Sequence, residues 1–119
     1  MHTYSFEKLD VWVKAKDFLK EIYLVTERFP KEEMYGLTSQ IRRSAGSIGA
    51  CLAEGSAKIT DKDKAHYTNM AYASTIETLH HLIIAFELKY IKIENYNSLR
   101  TSINELTNKL NALRKTQLG

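Results

Sequence analysis

Two charged residues stand alone in stretches that are otherwise bare. Arg43 borders the run Ser44 to Ala53, which reads SAGSIGACLA and carries no charge, and Glu77 is the one formal charge between Ala65 and Phe86. An unpaired charge taken out of water is costly. The two are therefore expected to meet across neighbouring helices as a buried ion pair that fixes helix register. Gln40, Ser47 or Ser74 would fill the spare hydrogen bonds, with Glu54 in the same buried polar network. Breaking such a buried pair by Glu77→Ala should cost roughly 3–5 kcal/mol. The competing chemistry is a polar pocket with a catalytic carboxylate; the structural pairing is the preferred reading.

Glu77-Thr78-Leu79-His80 also reads as Glu-x-x-His, a ligand pair of di-iron bundles. That chemistry needs a second such motif and two further glutamates, and the chain has no second copy. His81 adjoins the motif, and His66 lies about four turns away on the same helix. No metal centre or cofactor is expected. Cys51, the only cysteine, has no nearby histidine to activate it and reads as a small buried hydrophobe. No Gly-x-Ser-x-Gly elbow, phosphate-binding glycine loop or Cys–His pairing occurs. Catalysis and a small-molecule substrate are not expected.

The remaining candidate is a ligand surface. The net charge of +3 permits a nucleic-acid partner without arguing for one. From Asn95 to Gly119, however, Arg100, Lys109, Arg114 and Lys115 face a single acid, Glu105. These four are the candidate contacts to RNA or DNA, with binding that is indifferent to sequence and weakened by salt. The bland alternative is a solvated face. The seven tyrosines mostly sit at packing spacing, so base stacking is the lesser reading for them.

The elements that must position these residues are helices. One proline and five glycines in 119 residues, with 44% apolar and 26% charged content, suit a single soluble domain of long helices. Val11, Ala15, Phe18, Ile22, Val25 and Phe29 form a heptad-like seam. Ser5 and Asp10 are alternative caps for that first helix, and Phe29-Pro30 ends it. In the second helix Ile41, Ala45, Ile48 and Leu52 line up, and Gly55 reads as the stop. Thr60 and Asp63 are spaced as a capping box for the third, whose seam is Tyr72, Ile76, Leu79, Ile83, Phe86 and Tyr90. Tyr96, Leu99, Ile103, Leu106, Leu110 and Leu113 give the cleanest pattern, in the fourth. The expected fold is all-α: one antiparallel up-down-up-down four-helix bundle over 1–119, with helices at about 7–29, 37–54, 61–90 and 94–116. The connector at Lys31–Met34 could add a turn of its own. No run approaches the roughly 20 apolar residues of a membrane span, and the opening MHTYSFEKLD has no apolar signal core. A cytoplasmic protein is the expectation.

Helices two and three carry too little charge to face water all round. They point to self-association, with Gly46, Gly49 and Ala53 as a small-residue stripe for close approach between copies.

Gln40-Ile41-Arg42-Arg43-Ser44-Ala45-Gly46-Ser47-Ile48, continuing through Ala53-Glu54-Gly55, closely resembles the signature of the 23S rRNA intervening-sequence proteins. Phe6, Leu9, Val11-Trp12 and Ala15 resemble that family's opening, and Phe29-Pro30, Glu33 and Tyr35-Gly36-Leu37-Thr38 its first connector. Ala71, Ser74, Glu77, Leu79, Tyr90-Ile91 and Tyr96 extend the likeness over nearly the whole chain. Two departures stand out: Gly49-Ala50-Cys51 replaces an asparagine-containing segment, and Lys89 stands where glycine is common before Tyr90. The resemblance implies a four-helix bundle that assembles into a homo-oligomeric ring, typically a pentamer. It also implies kinship with accessory proteins of diversity-generating retroelements, which bind nucleic acid. Most members have no assigned activity. The expected role is a ring-forming scaffold that binds RNA or DNA; the runner-up is a protein-binding adaptor without nucleic acid.

Overall fold

A computed structural model describes all residues, 1–119. Four α-helices make the bundle: α1 (Asp10–Thr26), α2 (Leu37–Ser56), α3 (Asp61–Glu87) and α4 (Ile93–Leu118). Each helix packs on its neighbours in the chain, and α1 also packs on α4. That cyclic adjacency is the expected antiparallel up-down-up-down arrangement. Short 3₁₀ turns occupy Ser5–Lys8 and Lys31–Glu33, the second being the anticipated turn in the connector. No helix is long and apolar enough to cross a membrane.

The seams of α1, α2 and α4 enter the core largely as their periodicity requires. Val11, Ala15, Phe18, Ile22, Ile41, Ala45, Ile48, Leu52, Leu99, Ile103, Leu106 and Leu110 are buried together. Neither candidate caps α1: its N-cap is Leu9, without a side-chain bond. Thr60 does cap α3, its Oγ1 accepting from the Asp63 amide at 3.1 Å.

The third helix departs from expectation. Its buried stripe is Ala65, Thr68, Ala71, Thr75, Thr78, Leu82 and Ala85, not the larger apolar series. Small side chains there let α2 come close. The threonines tolerate burial because each finds a carbonyl one turn back: Thr75 Oγ1 donates to Ala71 O at 2.9 Å and Thr68 Oγ1 to Lys64 O at 3.1 Å. The Thr78 hydroxyl lies 2.8 Å from both Ser74 O and Ser44 Oγ, tying α3 to α2. No buried side-chain nitrogen or oxygen is left without a partner. The larger series Tyr72, Leu79, Ile83, Phe86 and Tyr90 flanks the core half-buried, and Ile76 is 42% exposed.

Gly55 does not stop α2, which runs on to Ser56. Its lack of a side chain instead accommodates α3: a Cβ there would stand 2.7 Å from Tyr67 Cβ. The stop at the other end of α3 is a Schellman turn. Tyr90 N–H bonds Ala85 O and Lys89 N–H bonds Phe86 O, each at 2.9 Å. The residue that must turn left-handed is Lys89, at φ 67°, the one non-glycine with positive φ.

Candidate nucleic-acid interface

Arg43 and Glu77 do meet across α2 and α3 as an ion pair, and Gln40 Oε1 accepts from Arg43 at 3.0 Å. The pair is not buried. The Arg43 and Glu77 side chains are 55% and 38% exposed, because both helices turn this edge outward. A pair in that setting contributes about 0–1 kcal/mol, not the cost of a stranded buried charge. A partner that the sequence reading missed is His81, whose Nε2 donates to the same carboxylate at 3.2 Å. It sits one turn along from Glu77, so i,i+4 spacing was the available signal. Partial burial pushes the Glu77 carboxyl up, but the hydrogen bonds from His81 and Arg43 outweigh it and hold it below the ordinary range. Ser47 and Ser74 bond each other at 3.0 Å rather than the ion pair. Glu54 is exposed and stands apart from the network, about three turns down α2 from Arg43. His80 points to solvent, and no three His, Cys, Asp or Glu side chains converge anywhere to hold a metal. Cys51 is buried, as its neighbours implied.

The small-residue stripe divides. Gly49 faces inward, where a Cβ would touch Trp12 Nε1 at 3.5 Å, so it serves packing within the chain. Gly46 has nothing within 4 Å, and Ala53 is half-buried.

The four cations of α4 do not form one patch. At about 100° per residue, Arg114 lies about 40° and Lys115 about 60° from Arg100, while Lys109 lies about 180° away. Lys109 faces α1, where its Nζ donates to Asp10 Oδ2 at 2.6 Å. That bond holds the Asp10 carboxyl below its usual value. Beside it Lys14 of α1 pairs with Glu105 of α4. Charges along the α1/α4 seam thus cancel.

The α3/α4 side is different. Arg100 Nη1 donates to the Tyr96 hydroxyl at 2.8 Å and its guanidinium lies 5.6 Å from that ring's centroid. Arg114 donates to Asn69 Oδ1 at 2.7 Å and Asn111 Oδ1 at 2.8 Å, 5.7 Å from the Tyr72 centroid. Both are held by uncharged partners and lie near tyrosine rings, and no carboxylate pairs with either. Arg100 borders an open groove of about 410 Å³ lined by Tyr72, Ile76, Leu79 and Asn104 among others, with no acidic residue; Arg114 lies past its Tyr72 end. Lys115 is exposed beyond Arg114.

The model for the family described as 23S rRNA-intervening sequence protein matches residues 7–112. Among solved structures, the chain is similar to a crystal structure from Bacteroides thetaiotaomicron, described as a protein with unknown function from the S23 ribosomal protein family. The two share 25% identity at a TM-score of 0.82, over 88% of this chain and 98% of that one. No curated protein matches the chain.

Proposed function

The chain belongs to the 23S rRNA-intervening sequence protein family, and from that membership we propose a non-catalytic, ring-forming bundle that binds RNA or DNA as a cytoplasmic accessory or scaffold factor. One observation carries the nucleic-acid part: Arg100 and Arg114 are fixed by neutral groups and remain uncompensated. Lys14, Arg43 and Lys109, by contrast, are each matched by a carboxylate. Guanidiniums already in place bind phosphate without a further ordering cost.

Assembly rests on the outer surface of α2 and α3. There Gly46 is open, Ala50 and Ala73 are exposed, and Ile84 is 40% exposed. The charges on that surface, Arg43 and Glu77, compensate each other. Five copies, on the family's pattern, would close a ring through head-to-tail contacts and sum the field of their arginines.

Light scattering over a dilution series tests the ring: a multi-subunit particle persisting at low micromolar concentration is expected, and a monodisperse single chain would refute it. Generic RNA titrated from about 50 to 200 mM salt tests binding, which should weaken steeply. Replacing Arg100, Lys109, Arg114 and Lys115 together by glutamine should weaken it further, through Arg100 and Arg114. Unchanged affinity would remove α4 from the interface.

A further inference from the structure

We infer that the α3/α4 groove takes one unpaired nucleic-acid strand, its phosphates on Arg100 and Arg114 and its bases turned into the groove, in preference to a duplex. This rests on the nucleic-acid reading above and specifies the ligand.

Three features of the groove separate strand from duplex. The first is charge spacing. Arg100 and Arg114 stand fourteen positions apart on one helix, about 21 Å along its axis. A stacked strand carries a phosphate about every 3.4 Å, so the two guanidiniums bracket at most about six nucleotides, fewer where the bases are splayed. The surface between them is neutral, which suits two anchoring phosphates rather than the continuous charge of a duplex.

The second is the chemistry between the anchors. Asn104 and Thr107, on α4, offer donors and acceptors, and Tyr72, Ile76 and Leu79, on α3, offer apolar surface. Base edges and faces can use such groups only when unpaired; a duplex would present sugar and phosphate to them. Each guanidinium lies over a tyrosine ring, 5.6 and 5.7 Å from its centroid, and a guanidinium plane is itself a surface on which splayed bases stack.

The third is width. The groove is the furrow between two packed helices, whose axes lie about 8–10 Å apart. A single backbone fits such a furrow, whereas a duplex would rest on its rims.

The test is fluorescence anisotropy on the assembled protein with a labelled twelve-nucleotide oligouridylate and with the same strand annealed to its complement. The single strand is expected to bind at least tenfold tighter. Its salt slope should be about −1.4 per groove, two phosphates at about −0.7 each. R100Q/R114Q should flatten that slope and weaken binding tenfold or more. N104D, which sets a carboxylate at an exposed position between the anchors, should weaken it without touching either arginine. Circular dichroism on each variant reports that the bundle is intact. Equal or tighter duplex binding overturns the inference and leaves the nucleic-acid reading standing. Single-strand affinity unmoved by both variants also overturns it, placing the contact elsewhere. Binding to neither probe overturns both readings together.

Discussion

Gly55→Ala and Gly46→Ala are one chemical change on one helix, with opposite expected signs. Within a helix, alanine in place of glycine gains about 0.5–1 kcal/mol from the smaller loss of backbone freedom. At Gly46 nothing lies within 4 Å of the added Cβ, so that gain stands and the chain is stabilised by about 0.5–1 kcal/mol. At Gly55 the Cβ would meet Tyr67 Cβ at 2.7 Å and Lys64 O at 3.6 Å. Neither is the far end of a flexible side chain, so α2 and α3 must part. Overpacking of this kind costs about 1–3 kcal/mol; less the helix gain of about 0.5–1 kcal/mol, a net loss of up to about 2.5 kcal/mol remains, centred at about 1 kcal/mol. Urea unfolding followed by far-ultraviolet circular dichroism reads both, at one subunit concentration because the proposed assembly would make stability concentration-dependent. The midpoints should move in opposite directions at constant slope. A Gly55→Ala chain stabilised as Gly46→Ala is would refute the close α2/α3 approach. A Gly46→Ala chain destabilised as a monomer would refute an open outer surface on α2. In the assembled particle Gly46→Ala should instead raise the concentration at which subunits separate, if a sister copy lies over it.

Lys89→Gly should stabilise the bundle by about 1 kcal/mol, since glycine carries no Cβ penalty at a left-handed position; thermal unfolding would show it as a rise of a few degrees. Glu77→Ala should cost about 0.5–1 kcal/mol at neutral pH. Because the folded carboxyl is held below its ordinary range, that contribution is present above the unfolded value and fades as pH falls through the folded one, so the gap between parent and variant should begin to narrow near the ordinary glutamate value of about 4.3 and close only below the folded one; a gap that persists in strong acid would exclude the ionised carboxylate as its source. Tyr90 donates to Glu33 at 3.0 Å, and that bond, with burial and the charges of Glu33 and Glu32, raises its phenol. Ultraviolet titration of the tyrosines should therefore show one late group that Glu33→Gln brings back toward the rest. Glu33 also accepts the Leu37 amide at 3.2 Å, so Glu33→Ala should loosen the start of α2, read as faster amide exchange there.

The architecture was legible because α1, α2 and α4 write their buried faces in large apolar residues, as in Leu99, Ile103, Leu106 and Leu110 of α4. The third helix was misread for a physical reason. Thr68, Thr75 and Thr78 count as polar in any pattern, yet each can be satisfied by its own helix, and their small size lets another backbone approach. Residue volume, rather than hydropathy, chose the buried face. Arg43 and Glu77 could be matched as partners, since each was the odd charge in its stretch; their exposure could not, because it depends on which edge the other helices leave open. The α4 cations failed in a different way. The wheel that placed the leucines also sets Lys109 opposite Arg100, but treating the charges as a count concealed it. Arg100 over Tyr96 is an i,i+4 pair within α4 that spacing could have shown, whereas Arg114 over Tyr72 of α3 is information held only by the packed chain. So is the role of Gly55, whose sequence neighbours suggest an ending while its spatial neighbour, Tyr67, demands room.

The first and last helices share a seam sealed by Lys109–Asp10 and Lys14–Glu105. During synthesis that seam cannot form until α4 has left the ribosome. Until then Val11 and Phe18 on one side, and Leu82 and Ala85 on the other, lack the wall that Leu99, Ile103 and Leu106 complete. Three helices in their native places without the fourth would leave an open trough rather than a bundle, and its inner lining is the surface a chaperone would meet.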